Sequence, residues 1–100
     1  MIIIAGSLTL NPAKRADALA VAAPLMTATH QEDGCIEYVM YADPNDDTKI
    51  GIFERWESED ALKAHFASPH MAEFQGKVGD FEVSAMDVTR YDATARDSLI

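Results

Sequence analysis

A single cysteine, Cys35, stands among the 100 residues, so no disulfide can close within the chain, and a reducing, cytoplasmic setting is expected. Basic residues are scarce as well: 8 Lys and Arg against 17 Asp and Glu leave a net charge of −9. A surface of that sign repels phosphate backbones and anionic lipid, which argues against nucleic acid and membrane partners. Long apolar runs are missing. The opening MIIIAGSLTL lacks the basic n-region of a signal peptide, and nothing approaches the roughly 20 residues needed to span a bilayer. There are no repeats, linkers or low-complexity segments. A composition of 48% hydrophobic and 25% charged residues fits one globular domain over residues 1–100.

What is present alternates between strand and helix signals. Ile2 to Leu10 is β-branched-rich and stops at Asn11-Pro12, a strand followed by a cap and a first helical turn. Ala16, Leu19, Ala20, Ala23, Met26 and Thr27 then recur at helical spacing, with Pro24 inside the pattern and Gly34 suited to a left-handed position after it. Residues 35–42 alternate as a strand, with Ile36, Tyr38 and Met40 on one face. DPNDDT supplies a hairpin loop, and residues 49–56 return with Ile50, Ile52, Glu54 and Trp56 together. Ser58 caps a helix whose stripe is Leu62, His65 and Phe66. Pro69 ends it, and a short helix of about 70–78 carries Met71, Phe74 and Val78. Residues 81–91 read as the last strand, leaving a polar tail, 92–100, that ends in Leu-Ile, either mobile or packed on a partner. The order βαββα(α)β suits an α+β, ferredoxin-like sheet with helices on one face. The other face would carry Val39, Phe53 and Val83 or Ala85, and a second copy pressed against it would hide them, so a homodimer through the sheet is expected.

Residues 56–74, WESEDALKAHFASPHMAEF, hold the one Trp, two of the three His and two of the four Phe. A metal site, a pocket for an organic molecule and a filled core all compete for this stretch. His pairs that bind zinc on a helix use i, i+4 spacing. His65 and His70 are five apart, about 140° round an ideal helix, with Pro69 between them, and no metal is expected. Neither G-x-G-x-x-G nor G-x-x-x-x-G-K occurs, and Cys35 at a strand start reads as packing. Glu54 shares a face with Ile52 and Trp56, and a carboxylate there has to be paired, hydrogen-bonded or protonated. His65, on the apolar stripe of the facing helix, is either a hydrogen-bonded core residue or a general base, since histidine ordinarily titrates near neutral pH. Tyr38, Phe66 and Phe74 are core or the wall of an aromatic pocket. Met40, Ile52 and Met71 join that wall, and His70 falls at its rim or on the surface. Gly6, inside the first strand, makes room for a ligand or marks a bulge.

EDGCIEY, then FERWESEDALKAHFASPHMAEF and the closing VTRYD, resemble the antibiotic biosynthesis monooxygenase family, in its quinol monooxygenase branch, over essentially the whole chain. The most specific part is E-x-W-x-S-x-x-A-L-x-x-H-F-x-S-P-H, Glu54 through His70. The resemblance implies a dimeric α/β barrel with a cavity between sheet and helices. It also implies oxidation of a hydroquinone or related hydroxylated aromatic by O2, with neither metal nor flavin. His65 would then transfer protons, Glu54 would orient His65 or hold a substrate hydroxyl, and Trp56 would help shape the cavity. Haem-degrading relatives carry an Asn on the first strand where Gly6 stands here, and relatives that isomerise phosphorylated signals need basic residues this chain has in short supply. A non-enzymatic dimeric module that binds a small hydrophobic metabolite is the competing class.

Overall fold

β1 (Ile2–Leu10) lies inside a four-stranded sheet of order β2-β3-β1-β4, antiparallel throughout, with β2 at Cys35–Ala42, β3 at Lys49–Trp56 and β4 at Val83–Asp92. The computed structural model describes residues 1–100. Between β1 and β2 run a short 3-10 turn (Pro12–Lys14), capped by the Asn11 side chain, and α1 (Arg15–Thr29). α2 (Glu59–Phe66), α3 (Pro69–Gln75) and a second 3-10 turn (Val78–Phe81) link β3 to β4. This is the ferredoxin-like α+β arrangement the element order implies. No helix is long and apolar enough to cross a membrane.

Strand parity decides what faces the helices. Ile4 sits opposite Glu54, Gly6 opposite Ile52 and Leu8 opposite Ile50 in β1–β3, while Tyr38 meets Glu54 and Met40 meets Ile52 in β2–β3. Those positions, with Trp56 and the helical Ala18, Ala22, Leu25 and Leu62, make the core. Two irregularities shift the pattern. Cys35 pairs with Trp56 and Glu37 with Arg55, so Ile36 is an extra residue on β2. This bulge leaves Ile36 42% exposed and turns Cys35 toward the core instead, contrary to simple alternation. In β1–β4, Thr9 pairs with Ala85 and Leu10 with Val83, so Val83 packs on the helix side and Ala85 takes the open face.

α1 buries Ala18, Ala22, Leu25 and Thr29 rather than the Ala16–Thr27 stripe its spacing suggests. It is rich in alanine, with apolar residues on every side, so the sequence carries little amphipathic signal. Alanine at the contact lets the helix approach the sheet closely, and Ala22 is wholly buried. The helix passes through Pro24, which is solvent-exposed, and ends at Thr29, so Glu32 and Asp33 lie in the turn leading to β2. Gly34 in that turn has φ +82°, and a Cβ on it would stand 2.6 Å from the Ala61 Cβ, so the loop lies hard against α2. Arg15 Nη1 donates to the carbonyls of Asp43, Asp46 and Lys49 and fixes the β2–β3 loop.

The opposite face of the sheet carries Ile3, Ala5, Val39 and Phe53, all half-buried, and the exposed Tyr41 and Tyr91. Tyr41 lies across Gly51. Gly6 neither admits a ligand nor marks a bulge: a Cβ there would fall 1.9 Å from the Asp87 carbonyl oxygen, so its missing side chain is the space β4 occupies.

Candidate active site

A cavity of about 500 Å³ opens between the sheet and the α2–α3 segment. Its floor is the helix-facing side of the strands: Tyr38 and Met40 from β2, Ile52 and Glu54 from β3, and Ile4 and Leu8 from β1. Phe66 at the end of α2, with Met71 and Phe74 of α3, closes the far side, and Met86, Val88 and Arg90 of β4 close the edge. The volume suits a small organic molecule, and the wall is mostly apolar with a few polar groups, the usual make-up of a ligand pocket.

Glu54 is the one carboxyl group in that floor. Strand parity puts Glu54 and Trp56 on one face two residues apart, so the indole Nε1–H donates to Glu54 Oε1 at 2.9 Å. Oε2 accepts no bond from the chain. Burial pushes the carboxyl above its ordinary pKa; the Trp56 bond pulls the other way, and the charge of Glu32 adds to the rise. Tyr38, opposite Glu54, is raised further by burial and then by the Glu54 and Glu32 carboxylates, so its phenol stays protonated and able to donate. Burial, and then Glu32 and Glu54, also raise the Cys35 thiol, which fits an inert packing residue. Arg90 Nη1 is 2.6 Å from Glu59 Oε1, an ion pair half exposed on both sides.

The residues proposed from sequence divide accordingly. Glu54, Tyr38, Met40, Ile52, Phe66, Met71 and Phe74 line the cavity. Trp56 and His65 do not: both are buried, with ring centroids 4.8 Å apart, and Trp56 acts on the cavity through Glu54. His70 lies on a separate cleft of about 260 Å³ against α1. The expected Glu54–His65 pairing does not form. His65 Nδ1 is 2.7 Å from Glu32 Oε2, and the same oxygen is 3.1 Å from His70 Nε2.

Sequence reasoning passed over Glu32 and the β4 residues. Met86, Val88 and Arg90 alternate along β4, and that parity could have shown them facing the helices. Glu32 carried no local signal beyond its place near a helix end.

A family model described as Antibiotic biosynthesis monooxygenase matches residues 1–77. "Putative monooxygenase Rv0793" of Mycobacterium tuberculosis is 33% identical over 79 residues, covering 79% of this chain and 77% of its own length. The uncharacterised protein sll1783 of Synechocystis is 29% identical over 98 residues, which is 98% of this chain and 67% of its own. The crystal structure of a "putative antibiotic biosynthesis monooxygenase" from Deinococcus radiodurans superposes with a TM-score of 0.88 at 25% identity, covering 100% of this chain and 99% of that one. With a matched domain, relatives aligned over most of the chain and a common fold, the chain belongs to the antibiotic biosynthesis monooxygenase family.

Proposed function

We propose that the protein is a cofactor-independent monooxygenase that oxidises a hydroquinone or related hydroxylated aromatic with O2 in the sheet–helix cavity. The observation that carries this reading is Glu54: a buried carboxylate, raised in pKa and held at one oxygen by Trp56, with the other free at the floor of an apolar pocket. Family membership supports monooxygenase chemistry.

The chemistry needs a base, a dry site and donors for developing negative charge. A raised pKa makes Glu54 a stronger base than an exposed carboxylate, and Oε2 takes the phenolic proton. The phenolate gives one electron to O2, and the radical pair combines through a ring carbon to a peroxide. Loss of water then leaves one oxygen atom on the ring and a quinone product. For a simple hydroquinone, one molecule of substrate and one of O2 give one hydroxyquinone and one water, so the substrate supplies all four electrons that reduce O2. The Tyr38 phenol and the Arg90 guanidinium are the donors along the wall suited to the oxyanion and peroxide. His65 lies behind this wall and acts as a positioning residue, packed against the Trp56 that holds Glu54. A second copy of the chain on the open face would bury Phe53, Val39 and Tyr41; sedimentation at twice the chain mass supports that pairing, and a monomer argues against it.

Oxygen uptake with a panel of hydroquinones and anthrone-like phenols, corrected for autoxidation, tests the reading. Glu54→Gln should lower the protein-dependent rate by about 100-fold or more, the usual worth of a positioned base. Unchanged uptake in that variant would remove Glu54 from the mechanism. No uptake above autoxidation across the panel would turn the assignment to a binding module.

A further inference from the structure

We propose that Glu32, His65 and His70 form a binding site for a divalent transition metal ion of the zinc class. The three come from different segments: the turn after α1, α2 and α3. Their ligand atoms all lie within 4.8 Å of one another, with Glu32 Oε2 at 2.7 Å from His65 Nδ1 and 3.1 Å from His70 Nε2. Two imidazoles and a carboxylate are the donor set of many three-ligand zinc centres, and they favour Zn, Co, Ni or Cu over Ca or Mg.

One ligand is already in place, and movement of the other two side chains closes the geometry round an ion. Around a tetrahedral ion with bonds of about 2.0–2.1 Å, ligand atoms stand about 3.3 Å apart. The His65 side chain is 1% exposed and is held by Trp56 and Tyr38, with ring centroids at 4.8 and 5.2 Å, so it is the fixed ligand. Glu32 and His70, 15% and 24% exposed, are the ligands that move: Glu32 backs off His65 by about 0.6 Å, and the His70 imidazole, whose nitrogen stands within 4.8 Å of the His65 nitrogen, swings in by up to about 1.5 Å to reach tetrahedral spacing. His70 also lines the 260 Å³ cleft between α1 and α3, which gives an ion a route from solvent. Both helix ends are built to hold the pair. The Ser68 hydroxyl donates to the His65 carbonyl and accepts from the Met71 N–H, fixing the turn that brings the two imidazoles round to one carboxylate. None of the three ligands lines the sheet–helix cavity, and the site meets it only through the packing of His65 on Trp56, so metal binding is measurable whether or not the oxygenase reading holds; an ion here would tie α2, α3 and the α1–β2 turn together.

The test uses the full chain, stripped with chelator and titrated with Co2+ and with Zn2+. Trp56 is the only tryptophan and sits beside His65, so bound Co2+ should quench its fluorescence and acquire visible absorption bands. One Zn2+ per chain, binding at micromolar concentration or tighter, should compete the Co2+ away. His65→Ala empties the core and risks unfolding, so the more accessible partners carry the test: His70→Ala and Glu32→Gln should each weaken binding at least about tenfold with circular dichroism unchanged. Absence of quenching up to about 1 mM Co2+, or wild-type affinity in both variants, would overturn the site and leave the three residues as a hydrogen-bonded tie.

Discussion

Replacing Trp56 with Phe isolates the bond on which the proposed site depends. Trp56 is wholly buried, and its Nε1–H is the one donor to Glu54. Two costs follow. Losing ring atoms from a packed core costs about 1–2 kcal/mol, and losing a hydrogen bond to a buried charged group costs about 1.5–3 kcal/mol. The packing cost does not depend on residue 54, whereas the bond does. In a Glu54→Gln background the indole donates to a neutral amide, a bond worth about 1 kcal/mol. The four proteins of the cycle (wild type, each single variant and the double) should therefore show a coupling of about 1 kcal/mol, equivalent to about 4–8 °C in Tm for a domain of this size. Its pH dependence has a definite sign. The folded Glu54 pKa lies above its ordinary value, so the stability it confers is present below the ordinary carboxylate pKa of about 4.3 and is lost as pH rises through the folded value. Glu54→Gln removes that slope. Trp56→Phe takes away the bond that holds the pKa down and extends the slope to higher pH. The coupling should be full when Glu54 is ionised and vanish once it is protonated. Urea unfolding of the four proteins from about pH 4 to about pH 8 measures this directly. A coupling of zero, or one constant across that range, would refute the assignment of Glu54 as a carboxylate stabilised by the indole.

Thr29 Oγ1 is a fully buried hydroxyl with no hydrogen-bond partner. Thr29→Val keeps the shape and removes that unsatisfied group, so thermal unfolding should show a gain of about 1 kcal/mol; a loss would mean the hydroxyl has a partner in solution. Gly6→Ala places a methyl against the β4 main chain, a clash with backbone rather than with a flexible side chain. The β1–β4 pairing has to open to relieve it, so a destabilisation of more than about 3 kcal/mol is expected, and amide exchange should speed up along β4 before the rest of the sheet.

The strands were legible because their signals are local. Asn11-Pro12 and DPNDDT bound β-branched runs, and parity alone put Glu54 and Trp56 on one face, where the structure bonds them. The face of α1 was not legible, since an alanine-rich helix shows no stripe and its contact is chosen by where the sheet leaves room. Ile36 escaped for a related reason: a bulge is a property of a strand pair, and β2 read alone alternates cleanly. The histidines show the limit most sharply. A spacing of five residues and a proline between them exclude a shared face on one continuous helix, and the break at Pro69 is real. Yet that break starts a second helix at a new angle, and the turn brings His70 back to within 6.1 Å of the His65 ring, centroid to centroid. Glu32 completes the group from 33 residues upstream of His65, through a turn whose position depends on Gly34 lying against Ala61. The spacing rule was sound for a single element. Two elements meeting at a capping serine are outside its domain, and only the packed fold shows which residues such a junction gathers.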